Sequence, residues 1–179
     1  PDYANSLSNL GLLYSDLGLF QKAKTFYLES KNIKEKTVGT THPEYATVLN
    51  NLAGLHTTSG EYKQAEVLLL KSKNIIEKSL GKNNVDYAVS LRLLADLNKN
   101  IGNYQKAETL YLESKGLNEK ILGKEHVAYA SLLNDLADLD KTLNKHKKAE
   151  ALYIESKNIQ EKILGKDHPK YASSLVNLA

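Results

Sequence analysis

The chain has 179 residues, of which 41% are hydrophobic and 25% charged, with a net charge of +3, the mix of an ordinary folded domain. It has no cysteine, which excludes disulfides, thiolate metal sites and a cysteine nucleophile. No apolar run reaches the ~18 residues of a membrane span and no signal peptide is visible, so a cytoplasmic location is expected.

The first predicted element is a helix over about 3–17, called A. Its stripe is Tyr3, Ala4, Leu7, Leu10 and Leu13, at helical spacing. Gly18 ends it, at a position that suits a left-handed turn. A second helix, B, is expected over about 20–37, with Phe20, Ala23, Tyr27, Ser30 and Ile33 on its apolar face. Gly39 stops it. Lysines crowd its last turn, where they suit the negative end of the helix dipole. Thr41, His42, Pro43 and Glu44 then start a new helix A, with proline at a tolerated first-turn position and glutamate at a favoured one.

From there the pattern returns. Tyr-Ala recurs at Tyr3, Tyr45, Tyr87, Tyr129 and Tyr171, each 42 residues after the last. Complete units run 3–44, 45–86, 87–128 and 129–170, and 171–179 begins a fifth. Eleven positions are identical in all four complete units, among them the serine series Ser30, Ser72, Ser114 and Ser156. The A–B turn carries Gly18, Gly60, Gly102 and, in the fourth unit, Asn144, which also tolerates a left-handed backbone. A single helix pair cannot bury both of its stripes and stacked pairs can, so the pattern predicts an all-α solenoid of antiparallel helix pairs. Small residues, Gly11, Ala53, Ala95 and Ala137 in A and Ala23, Ala65, Ala107 and Ala149 in B, mark where helices approach closely. The chain has no methionine and opens in mid-pattern, so it reads as a fragment of a longer protein.

These residues resemble the tetratricopeptide repeat: a small residue in A, a glycine and an aromatic at the turn, an alanine and an aromatic in B. In the first unit these are Gly11, Gly18, Phe20, Ala23 and Tyr27; the fourth unit departs at Asn144 and His146. The 42-residue period, the stretches Glu119 to His126 and Glu161 to His168, and the run Tyr171 to Ala179 are similar to the kinesin-light-chain-like form found in bacterial multidomain proteins. The resemblance implies a right-handed α-solenoid whose A helices line a concave groove that holds a peptide or protein. It also implies, as an alternative, the sensor arm of a larger bacterial effector such as a CHAT-type protease. A third expectation is self-association by end-to-end stacking of open repeat ends.

The expected partner-binding residues on the outward positions of A are Asn5, Asn9, Asn50, Asn51, Arg92, Asp96, Lys99, Asn134, Asp135 and Lys141. Asn9, Asn51 and Asn177 share one register, with Leu93 and Asp135 in the same place; Ser173 lies on the same wall. An asparagine amide offers donors and an acceptor to a peptide backbone, and the alternative is that these residues cap or face water. Arg92 and Lys99 are expected to be offset by Asp96, which leaves no basic cluster of the kind that clamps a terminal carboxylate. The B segments 19–37, 61–79, 103–121 and 145–163 hold 17 basic and 11 acidic residues, a solvated outer face or one that docks an acidic surface.

Chemistry beyond binding finds little support. Arg92 is the only arginine, and nucleic-acid readers lean on bidentate arginine. His42, His126 and His168 repeat with the inter-unit turn and are expected to cap it rather than bind metal. The Gly-Lys pairs at Gly81, Gly123 and Gly165 lack the rest of a phosphate loop. No catalytic constellation, metal or cofactor is expected, and neither nucleic acid nor membrane is an expected partner.

Overall fold

The structure is a computed structural model and describes residues 2–169 and 171. Among these residues there are eight helices and no strand: α1 (Asp2–Asp16), α2 (Phe20–Thr37), α3 (Pro43–Thr58), α4 (Tyr62–Leu80), α5 (Val85–Ile101), α6 (Tyr104–Leu122), α7 (Val127–Thr142) and α8 (His146–Leu164). Odd-numbered helices are the A helices and even-numbered ones the B helices. No helix is long and apolar enough to cross a membrane among the described residues. The fifth-unit residues Ser173 and Asn177 lie outside the described residues.

The starts and stops follow the local chemistry. His42, Asn84 and His126 each accept the backbone N–H two residues on, from Glu44 at 3.2 Å, Asp86 at 2.8 Å and Ala128 at 3.0 Å. Each bond satisfies one of the free donors of a first helical turn. The A–B turns need a left-handed residue: Gly18, Gly60 and Gly102 sit at φ +72°, +74° and +91°, and Asn144 takes the same conformation at +57°.

Each A helix packs on its own B helix, and α3, α5 and α7 also pack on the B helix before them. A serine locks the first contact. Ser30, Ser72, Ser114 and Ser156 donate to the carbonyls of Ala4, Ala46, Ala88 and Ala130 at 2.7, 3.0, 2.8 and 2.7 Å. This explains why a hydroxyl persists in a buried place. It satisfies itself on the second lone pair of a helical carbonyl while staying small enough for close approach. Successive A helices also touch one another, α1 with α3, α3 with α5 and α5 with α7, and the B helices make no comparable contact. The A helices therefore take the inner radius of the stack.

The first unit separates two halves of the A stripe. Ala4, Leu7 and Gly11 are buried there, as in every unit. Tyr3, Leu10 and Leu13 are exposed, although their counterparts Tyr45, Leu52 and Leu55 are buried, the two leucines against Ala23 and Tyr27 of the preceding B helix. Phe20, expected on the apolar face of B, is a correction of a similar kind: it stands at the edge beside Gly18 and Leu19, lining an open hollow at the turn. In the same register Tyr62 and Tyr104 do pack on the core, around Ala53 and Ala95.

Gly11 is required by packing rather than by backbone conformation. A Cβ there would lie 2.6 Å from the Tyr27 ring, and Tyr27 is buried. Gly116 in α6 has nothing within 4 Å of the same position. We expect Gly11→Ala to lower stability, because overpacking costs roughly 1–3 kcal/mol and outweighs the ~1 kcal/mol of helix propensity gained. Gly116→Ala should raise stability by ~0.5–1 kcal/mol. Urea unfolding of the two variants checks the opposite signs.

Candidate functional site

The inner wall is built from the N-terminal halves of the A helices, set side by side by the fixed register. Between α1 and α3 it holds a hollow of about 250 Å³ lined by Asn5, Ser8, Asn9, Glu44, Thr47, Val48 and Asn51. Three of the expected residues, Asn5, Asn9 and Asn51, are thus brought together. Asn5 and Asn9 are exposed and Asn51 is half-buried. None of the three is held by a hydrogen bond within the described residues, so their amides are available.

Asn50 and Asn134 are placed differently from the expectation. They occupy the register of Ser8, which turns inward and bonds the Ser30 hydroxyl at 2.8 Å. Their carbonyl oxygens are buried and unpartnered. A buried acceptor without a donor is costly, so these side chains are poorly placed to present both ends of the amide to a guest. Leu93 breaks the asparagine register because it packs on the core around Ala53, Leu69 and Leu94.

The charged residues form a network on the third and fourth units. Arg92 donates from Nε to Asp135 at 2.5 Å, across the gap between α5 and α7. Its expected counter-charge was Asp96; the direct partner is the carboxylate one unit on. Asp96 instead accepts the Tyr111 hydroxyl, and Asp138 accepts that of Tyr153. Burial first, and the Asp135 carboxylate second, hold Asp96 above the ordinary carboxylate range, against the pull of Tyr111, Arg92 and Lys99. Burial and the same carboxylates push the Tyr111 and Tyr153 hydroxyls well above their usual values. Lys99 is partly exposed and Lys141 exposed, and neither forms an ion pair among the described residues. The site therefore divides into a neutral amide-rich part at α1 and α3 and a charged part at α5 and α7.

Sequence reasoning missed the two tyrosines that orient Asp96 and Asp138. The signal was present: tyrosine and aspartate occur together in the third and fourth units, at Asp96 with Tyr111 and Asp138 with Tyr153, 15 residues apart in both. The first two units have Leu12 and Gly54 in the aspartate register.

Comparison with known proteins places this architecture. Residues 2–72, 57–114 and 99–156 match the family described as Tetratricopeptide repeat. The crystal structure of BtubC (BKLC) from P. vanneervenii is similar over 97% of this chain and 69% of that chain, with a TM-score of 0.79 and 20% identity. That identity supports the fold alone. Two crystal structures of a Podosopora anserina putative kinesin light chain with nearly identical TPR-like repeats are similar over 97% of this chain and 82% of theirs. Both have a TM-score of 0.74 and 25% identity. No curated protein sequence matches the chain.

The charged network yields a direct measurement. Asp135→Asn removes the carboxylate beside Asp96 and should lower the pKa of Asp96, and Arg92→Leu should raise it. Carboxyl-carbon NMR titration of Asp96 in the two variants reads both directions; the same pKa in all three proteins would contradict the coupling.

Proposed function

The chain belongs to the tetratricopeptide repeat family, and on that premise we propose that it is a non-catalytic scaffold that holds an extended peptide or protein segment against the inner wall of its A helices. One observation supports this most: Asn5, Asn9 and Asn51 stand unbonded around one hollow between adjacent A helices. An amide there can donate to and accept from a peptide backbone without reading its side chains. The kinesin-light-chain-like neighbours share the fold. Asn50 and Asn134 do not contribute, since their carbonyl oxygens are buried.

Affinity capture from a native lysate, followed by binding measurements on the captured protein, tests the wall. Asn9→Ala with Asn51→Ala should weaken binding by about tenfold, the worth of one or two net hydrogen bonds, with circular dichroism unchanged. Lys120→Glu, at an exposed position of α6, should leave binding intact. The reverse pattern would assign the partner to the outer face.

A further inference from the structure

The joints between successive helix pairs use the same registers but are not filled alike. At the first joint the side chain of Lys34, 1% exposed, crosses to Glu44. At the second, Ile76 takes the register of Lys34 and is buried in the core. At the third, the registers of Lys34 and Glu44 hold Asn118 and Ala128. Both are shorter, and a hollow of about 340 Å³ is left between α5, α6 and α7, with Val89, Arg92, Asn118, His126, Ala128 and Ser131 among its walls. The first joint has a smaller hollow in the same registers, about 250 Å³; at the third joint it is larger and reaches back to Ser114 and Asn118 of α6.

Three of its polar side chains, Asn118, His126 and Arg92, are each held by a bond to a neighbour. Asn118, 6% exposed, donates its amide to the Ser114 carbonyl at 3.0 Å, and its own carbonyl oxygen has no partner among the described residues. His126 accepts the Ala128 N–H at Nδ1, so in the neutral ring Nε2 carries the proton and is a free donor. Arg92 is committed to Asp135 through Nε alone; its two terminal amino groups have no partner among the described residues. The Ser131 hydroxyl is likewise unpaired there. The walls thus offer several donors, one acceptor, and aliphatic surface from Val89 and Ala128.

Charge selects among possible guests. Asp135 already balances the guanidinium, and Asp96 lies within its field. An incoming carboxylate would be the third around a single arginine, and an incoming cation would meet that arginine directly. A neutral carboxamide meets neither cost: its oxygen accepts from Arg92 or Ser131, its nitrogen donates to the Asn118 oxygen, and its methylenes lie on the aliphatic wall. Discrimination of this kind is effective because a guest lacking the group leaves buried polar atoms unpaired.

We propose that the joint between the third and fourth helix pairs is a receptor for a glutamine side chain of a bound peptide. The proposal rests on the inner-wall reading and adds which residue this joint takes. The test uses three capped pentapeptides, Gly-Gly-Gln-Gly-Gly and its Glu and Leu counterparts, titrated into the isotope-labelled chain and followed by NMR. The glutamine peptide should shift Val89, Asn118 and Ser131 with a Kd about tenfold below the other two, equivalent to one net hydrogen bond. Asn118→Ile and Ala128→Glu should each erase that preference. Both copy residues the chain itself uses in those registers, Ile76 and Glu44, so the fold accommodates them. A glutamate peptide that binds as well or better overturns the proposal, as does a preference that survives Ala128→Glu. The inner-wall reading is scored separately by the Asn9 and Asn51 side-chain amides, which all three peptides should shift. Response there with silence at the third joint refutes the glutamine site alone, and the converse refutes the wall alone.

Discussion

The structure depends on one burial event repeated at each joint: a tyrosine and two leucines of an A helix pressed against the B helix before it. Leu52 and Leu55 show it at the first joint, and Tyr87, Leu94 and Leu97 at the second. The other half of the same stripe, Ala4, Leu7 and Gly11 in the first unit, serves the contact within a pair. Because the two halves are interleaved on one helix, each pair can be satisfied only by a neighbour in a fixed pose. This is the nearest-neighbour logic of a solenoid. The serine bond to the A-helix carbonyl fixes the pose within each pair, and aromatic rings with lysines over them, such as Lys73 above Tyr87 at 5.0 Å, cover the joints.

A scaffold of this kind fixes where side chains stand and leaves their identity free. Function is therefore sought in residues that depart from the period. The departures here are not scattered. Arg92, Asp135, Asn118 and Ala128 cluster at one joint, with Asp96 and Tyr111 beside them. Asn9 and Asn51 occupy another. The inner wall is consequently not uniform: an amide-rich part adjoins a charged part.

The site was legible only in part. Asn5, Asn9 and Asn51 could be placed on a common hollow because the 42-residue step sets residues of equal register side by side. Asn50 and Asn134 could not, since they lie one residue from that register, and a rotation of about 100° per residue along the helix carries them toward the B helix. Asp96 does offset the charges of Arg92 and Lys99, but the direct partner of Arg92 was not legible, because the Asp96 carboxylate is held by Tyr111, a residue of the neighbouring helix. Asp135 lies 43 residues away and yet within hydrogen-bonding distance.

The sequence by itself determined the eight described helices, their pairing, the left-handed turns at Gly18, Gly60, Gly102 and Asn144, and the caps at His42, Asn84 and His126. Each follows from short-range chemistry: helical spacing, the cost of positive φ in most side chains, and the free N–H groups of a first turn. Only the tertiary structure decided which half of the A stripe serves the joint, why a serine persists in the A–B contact, and how large a space each joint leaves. Those outcomes depend on the rotation of each helix about its own axis when it packs and on side chains from three helices meeting at once, and exact repetition constrains neither.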